Sequence, residues 1–599
     1  MIVYGDPQFE ARIWELLRRL EHKLAAADPN DLDMLRALLI QSGQFEQAMV
    51  DFLPQENISS IIRVQTVTDF AAAAFYATLQ KCVIGLSIPL ISAERALEFM
   101  SHELRHLRIF ENALVTVKIP EGFEFYTLFP EQYCASALQW LERNSLSTRN
   151  RTALVVGIRS IGTSLSALVT ATLAAAGWQT RRVTVRPTGH PFERKVDFAA
   201  HDLDSRSRAL IVDEGPGISG SSMAAVAKAL AASGFKPEQI SFLPGHGGGP
   251  GSAASAETHA WWASTVRHVN PLGNLRWNGC SLTELLAQKS AVLCNEAKIP
   301  SSQMQDLSAG QWRQKVYSNE TDWPAVCMPF EKSKYLYSTR SGVAVLWKFI
   351  GFGSIGDNLQ SFREPIANEF FNREKTDHLT SLGYLHGFLA LPWINGKPLV
   401  QSDANNSEVI NAIAHRIIAA VGPPLSAADQ ADSVSRLSQM LHWNAQEVFG
   451  KNIALRTQAV IKAACNLPSG PSHGDGRMAP HNWIRASDGT LFKTGSLGNR
   501  IDHTIVGRQP VIWDVAGAMV EWDFTIASAA PLVRAVNDAF TSAINADALT
   551  FYCMAYAAFQ MGQASLCADL CNVNPGEKTR LKSAVAFYRN QLVMELKRG

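Results

Sequence analysis

The sequence predicts an α/β protein in which a helical segment precedes a parallel-sheet domain and an α+β domain follows it. Three observations carry that expectation. Apolar residues recur at helical spacing through the first hundred or so positions. Short apolar runs then alternate with helical stretches, and strand pairs followed by long helices fill the remainder. A chain of 599 residues exceeds what one core can organise, so several domains are required.

The helical segment shows in Ile13, Leu16, Leu17 and Leu20, and again in Leu35, Leu38 and Leu39; it runs from residue 12 to about residue 110. Strand-like sequence begins at 114–119. Strand 153–156, helix 163–176 closed by Gly177, and strand 181–186 follow. Next come strand 209–212, helix 221–232 closed by Gly234, and strand 240–243. Strands alternating with helices of this length predict a parallel sheet covered on both faces. Residues 295–310 are polar and aperiodic and read as a linker. Strand pairs resume at 334–337 and 343–349. Beyond Asn406 the pattern is mostly helical, broken by a hairpin-like piece at 482–493. The expected domains are 1–110, 111–295 and 311–599, with no internal repeats.

Composition narrows the function. Hydrophobic residues at 47% with 18% charged residues fit a soluble globular protein. Lys+Arg 55 against Asp+Glu 54 leaves a net charge of +1, which supplies no field for nucleic acid or an anionic membrane. Nine cysteines include no C-x-x-C pair, and Cys567 and Cys571 share a helix face without a second pair to complete a metal site. Buried, reduced thiols are expected. Asp6, Glu10 and Glu15 interrupt the N-terminus, so no signal peptide is read there. The most apolar stretch, 153–178, contains Arg159 and three glycines and fails as a membrane span. A cytoplasmic protein is expected.

Two loops carry the chemistry. The first, Gly157-Ile158-Arg159-Ser160-Ile161-Gly162-Thr163-Ser164, leads from a strand into a helix. It aims backbone N–H groups and a helix N-terminus at an anion, and Arg159 adds a fixed charge. The second, Asp213-Glu214-Gly215-Pro216-Gly217-Ile218-Ser219-Gly220-Ser221-Ser222, also runs from strand to helix. Its acids suit ribose hydroxyls or a magnesium ion, and its Gly/Ser turn suits a phosphate. Either loop alone is as readily a capped turn. Two on one sheet, the second preceded by acids, point to a sugar-phosphate site.

This pair resembles the type I phosphoribosyltransferases over about residues 118–251. The resemblance implies that Gly217, Ser219, Gly220, Ser221 and Ser222 hold the 5-phosphate of phosphoribosyl pyrophosphate (PRPP), and that Asp213 and Glu214 hold its ribose hydroxyls. Arg159 and Ser160 would hold pyrophosphate, with magnesium as companion. Arg186, Arg194 and Lys195 lie on a segment that closes over the pyrophosphate in the family. Four residues separate Glu214 from Ser219 where the family has three. Phe123, Phe125, Tyr126 and Phe129 are either a hood that stacks on a base or core contacts. His246, in a glycine-rich loop, is either a base toward the acceptor or a surface residue.

The third domain carries Lys348 on a strand, then Asp475 in His473-Gly474-Asp475-Gly476, then Asn482, a hairpin, and Trp513-Asp514. This order resembles the aminoglycoside phosphotransferase and choline kinase group over about residues 312–599. The resemblance implies ATP as cofactor, with Lys348 on its phosphates. Asp475 would face the acceptor hydroxyl, Asn482 would hold magnesium, and Asp514 would pin the catalytic loop. Asn482 lies seven residues after Asp475 where the pattern has five. The second metal carboxylate should follow the hairpin strand, but Gly495 stands there and Asp502 is the remaining candidate. As a whole the chain resembles uncharacterised bacterial proteins grouped with stress-response or tellurite-resistance genes.

Three further motifs are set aside. His102-Glu103-Leu104-Arg105-His106 fits H-E-x-x-H, yet a strand begins before a third ligand can follow. Gly351-Phe352-Gly353-Ser354-Ile355-Gly356 fits G-x-G-x-x-G without the βαβ unit it needs. The 246–249 run has no G-x-S-x-G elbow.

The expected function is phosphoribosyl transfer, or its reverse, between PRPP and a nucleobase-like acceptor, coupled to a small-molecule kinase-like domain. A non-catalytic nucleotide or PRPP sensor regulating a protein partner is the alternative. The partners expected are a small-molecule nucleotide or base and, in a homo-oligomer, a second copy of the chain. Neither a membrane nor nucleic acid is expected.

Overall fold

The computed structural model describes the chain except residues 6–7, 55, 84, 111, 145–150, 199–202, 218, 253, 296–303, 340–341, 353–380, 451–470, 473, 495–503, 541–543, 572–573 and 599. The first strand, Gln8–Arg12, pairs antiparallel with Leu114–Lys118. The helices Ile13–Ala26, Leu32–Phe52, Ile58–Cys82 and Ala93–Arg105 lie between them. Ile13, Leu16, Leu17 and Leu20 form the buried stripe of the first helix, while Arg18 and Arg19 stay outside. Asp31 caps the second helix by accepting from the amides of Asp33 and Met34. Leu114–Lys118 alternates exposed and buried residues, as fits a two-stranded ribbon and not the centre of a parallel sheet.

The middle sheet is parallel, in the order Gln179–Val185, Thr152–Ile158, Arg208–Val212, Ile240–Leu243 and Val266–Arg267. Side chains along Thr152–Ile158 alternate between two cores. Ala153 and Val155 join the core shared with the N-terminal helices, while Leu154, Val156 and Ile158 pack on the opposite face with Val226, Leu230 and Trp262. The N-terminal helices cover the first face closely: a Cβ on Gly43 would stand 2.8 Å from Ser164 Cβ. Arg182 on the edge strand is gripped by Glu46 at 2.8 and 3.0 Å and by Asp69 at 2.7 Å.

A second sheet is antiparallel, in the order Gly383–Leu385, Phe388–Pro392, Ala344–Phe349, Lys334–Ser338 and Met304–Asp306. The last of these corrects the reading of 295–310 as linker throughout, because Met304–Asp306 is an edge strand held by pairing with Lys334–Ser338. Val345, Trp347 and Phe349 enter the core shared with the middle domain, and Trp347 Nε1 donates to Ser290 Oγ at 2.7 Å. Period-two alternation therefore puts Lys348 on the other face.

The remaining helices, among them Ser407–Ala419, Ala427–Phe449, Ile512–Glu521 and Ala546–Leu570, surround a separate core. Val3 is buried in that core, and Asn444 bonds both the amide and the carbonyl of Ile2. Cys327 and Cys567 form a disulfide, which corrects the expectation of reduced thiols throughout; Cys134, Cys553 and Cys571 are buried thiols outside it. Among the described residues, no helix is long and apolar enough to cross a membrane.

Candidate functional site

The strand ends Ile158 and Val212 are neighbours, with Gly157 registered opposite Val212. The chain leaves Thr152–Ile158 toward one side of the sheet and returns to Arg208–Val212 on the other, so both loops open at a switch point where α/β sheets hold ligands. Tight packing fixes the first loop. A Cβ on Gly157 would meet the Gly162 carbonyl at 2.3 Å, and one on Gly162 would meet the Val212 carbonyl at 2.5 Å. Ser160 adopts φ 133°, a strained value for a residue with a side chain, and makes no capping bond to the helix Ile161–Ala175.

In the second loop Gly220 precedes the helix Ser221–Ala232 at φ 59°, and its carbonyl accepts from Trp262 Nε1 at 3.1 Å. A Cβ there would lie 2.7 Å from Pro250 Cγ, so only glycine fits. Ser219 and Ser221 place their hydroxyls 3.1 Å apart, and Ser222 beside them is half-buried. Gly217 is exposed at φ 53°.

Asp213 and Glu214 stand half-buried between the loops. Burial pushes the Asp213 carboxyl up to about 7. Glu214 is also pushed up, by burial and then by Glu121 and Asp213, although its Oε2 accepts from the Gly122 amide at 3.0 Å. Tyr133 donates to the Asp213 carbonyl at 2.6 Å and steadies this strand end. Because the folded value of Asp213 exceeds its unfolded one, the folded state keeps a proton that the unfolded chain releases between about pH 4 and 7. Stability should therefore fall as pH rises through that window. Asp213→Asn should flatten the slope in urea titrations run at several pH values.

Other expected residues are placed differently. Arg186 is not a loose clamp: it bonds Asp51 Oδ2 through Nε at 3.1 Å, Gln47 Oε1 at 2.9 Å and the Arg159 carbonyl at 2.7 Å. Arg194 turns into its own segment, donating to the Gly189 carbonyl at 2.7 Å, where Thr188 and Lys195 exchange 2.9 Å backbone bonds. Lys195 is exposed. This small hairpin does reach the second loop, because the Ser221 hydroxyl donates to the Pro191 carbonyl. Phe123, Phe125 and Phe129 are buried in the fold and Tyr126 is half-buried against Phe125 and Phe330, so the hood reading gives way to core packing. His246 Nδ1 accepts from the Gly248 amide at 3.1 Å. With Nδ1 so engaged, Nε2 lies beside Gly215 and the residue is exposed, as in the surface alternative.

In the third domain the loop around Asp475 is held from a helix start. Asp514, in the first turn of Ile512–Glu521, accepts from the amides of Gly474 at 2.8 Å, Asp475 at 3.1 Å and Gly476 at 2.7 Å. Asp475 is itself fully buried, with Lys493 Nζ 3.2 and 3.1 Å from its two oxygens and Arg416 at 3.6 Å. Lys348 lies directly across from Lys334 on the neighbouring strand. Burial, then Lys334, Lys332, Arg477 and Lys493, hold its ammonium well below the usual range. The main-chain carbonyl of Asn482 accepts from the Thr494 amide at 2.7 Å. Gly495, Asp502, His473 and Gly353 to Gly356 of the glycine motif lie outside the described residues.

No family model and no curated protein matches the chain. Among solved structures, choline kinase LicA from Streptococcus pneumoniae is 13% identical, covering 43% of this chain and 89% of its own, with a TM-score of 0.29. Macrolide 2'-phosphotransferase MphH from Brachybacterium faecium is 11% identical, covering 51% and 98%, with a TM-score of 0.30. A thermostable mutant of aminoglycoside phosphotransferase APH(4)-Ia is 10% identical, covering 52% and 99%, with a TM-score of 0.31. Likeness of this size assigns no activity to this chain.

Two residues with direct bearing on the sites escape the sequence reading. Asp51 belongs to the helical segment and meets Arg159 and Arg186 only in the folded chain. Lys493 carries a usable signal: it shares a strand face with buried Leu491, and a buried lysine calls for a carboxylate. The H-E-x-x-H histidines sit at the end of Ala93–Arg105, with His102 well exposed and Glu103 paired to Arg63 at 2.9 Å. Among the described residues no group of three His, Cys, Asp or Glu could hold a metal.

Proposed function

We propose that the middle domain binds a phosphoribosyl diphosphate and catalyses phosphoribosyl transfer to or from a nucleobase-like acceptor. One observation carries the reading: two helix-opening phosphate loops leave adjacent parallel strands at the switch point, with two half-buried carboxylates between them. In this reading the second loop holds the 5-phosphate, Asp213 and Glu214 hold the ribose hydroxyls, and the first loop with Arg159 holds pyrophosphate. The bond from ribose C1 to the pyrophosphate oxygen breaks as an acceptor nitrogen bonds C1, and the loops stabilise the departing charge. The described residues do not fit a resident magnesium site, so no step is routed through a metal; magnesium is supplied with the diphosphate in the assay.

Calorimetry with PRPP and magnesium, then a pyrophosphate-release assay with a panel of bases, tests the proposal. Release with at least one base is expected; PRPP binding without release under any base would leave a sensor. Arg159→Ala should weaken pyrophosphate binding about 10- to 100-fold, as the loss of a charge-assisted contact implies, and ribose-5-phosphate far less. Equal losses for both ligands would remove the assignment of the first loop.

For the third domain the proposal is a nucleotide site on the Lys348 face, with phosphoryl transfer to a small hydroxyl substrate at Asp475. The buried Lys493–Asp475 pair favours a second reading, in which this domain binds a nucleotide without turning it over. Incubation with γ-labelled ATP and a panel of sugars, nucleosides and amino alcohols separates the two: label in any acceptor, lost in Asp475→Asn, supports transfer.

A further inference from the structure

The helix Leu32–Phe52 runs beside the first turn of Ile161–Ala175 and ends at the first phosphate loop. Gly43 packs on Ser164, and eight residues later, about 12 Å along the helix axis, Asp51 has reached Arg159. Asp51 Oδ1 lies 3.3 Å from Arg159 Nε, and its Oδ2 takes Arg186 Nε at 3.1 Å and the adjoining Nη2. Arg186 also holds the loop itself through the Arg159 carbonyl at 2.7 Å. A carboxylate shared by two guanidinium groups stands where an anion is stabilised.

We infer that Asp51 is an intramolecular anion that competes with the diphosphate of the ligand for Arg159 and Arg186, so that the N-terminal helical layer sets the affinity of the middle site. This rests on the phosphoribosyl reading of that site and adds its regulation. A pyrophosphate group carries more charge and more acceptor oxygens than one carboxylate, so it displaces Asp51, whose side chain is one-third exposed and able to turn to water. A ligand bearing only the 5-phosphate engages the second loop and leaves Asp51 in place.

The test is calorimetry on the full chain at fixed ionic strength, with inorganic pyrophosphate, PRPP and ribose-5-phosphate as probes. Asp51→Asn should bind pyrophosphate and PRPP about tenfold more tightly than the wild type, about 1.4 kcal/mol, with ribose-5-phosphate unchanged. Should that variant fail to fold, Asp51→Ser carries the same expectation. Unchanged or weaker pyrophosphate binding in a folded variant, with wild-type binding intact, overturns the inference alone: Asp51 would then only hold the arginines in position. No binding of PRPP or pyrophosphate by the wild type or any variant overturns the phosphoribosyl reading, and this inference with it.

Discussion

Asp514→Ala should destabilise the protein by about 4 kcal/mol, read as a shift of the urea transition assigned to the third domain. The carboxylate is fully buried and accepts three consecutive backbone amides, those of Gly474, Asp475 and Gly476. Alanine removes the acceptor of three N–H groups, two in buried bonds and the third, from Gly476, part-buried. Each bond to a charged acceptor contributes about 1.5–3 kcal/mol, and local rearrangement recovers part of the loss. The loop has little room to rearrange, because a Cβ on Gly474 would lie 2.0 Å from the Ala420 carbonyl oxygen. Asp514→Asn keeps the shape but turns an amide donor toward an N–H, so about half the loss is expected. Equal, small effects of both substitutions would mean that the loop is held by something other than Asp514.

Much of the middle domain was legible because its signals are local. Ser221–Ala232 and Ile240–Leu243 appear with the bounds read from the apolar runs and from Gly234, whose φ of 93° ends the helix. The two loops were legible for the same reason: glycines at Gly157, Gly162 and Gly220 mark close backbone approaches that the packing requires. Two short edge strands were not. Gln8–Arg12 and Met304–Asp306 have no apolar run of their own and exist through their partners. Long-range pairs were hidden as well, since Asp51–Arg186, Arg182–Glu46 and the Cys327–Cys567 disulfide join segments that sequence order keeps apart. The aromatic run 123–129 was ambiguous on its own terms. Phe129 packs on Trp277 and Phe352, residues whose proximity no local pattern announces.

Lys493→Met should cost about 3–5 kcal/mol, because it removes the ammonium 3.1 Å from the fully buried Asp475 carboxylate. Asp475→Asn should cost a similar amount by removing the charge partner of the buried ammonium, which keeps only neutral acceptors such as the Thr494 carbonyl at 3.0 Å. The two single variants should differ in the sign of their pH dependence. Burial already holds Lys493 below its ordinary value, and losing Asp475 removes the largest influence opposing that shift. The folded state then binds fewer protons than the unfolded chain in the alkaline range, so Asp475→Asn gains stability as pH rises toward 10. In Lys493→Met the carboxyl is pushed up instead, the folded state binds more protons, and stability falls as pH rises from about 4. The double variant Lys493→Met/Asp475→Asn buries no charge at either position; it should recover most of the loss and show neither slope. Parallel slopes in the two single variants, or a double variant no more stable than either, would rule out a buried ion pair as the reason Asp475 is held. In the proposed phosphoryl transfer, a carboxylate paired with Lys493 orients a hydroxyl only after the pair opens, so transfer that survives Asp475→Asn would place the acceptor elsewhere.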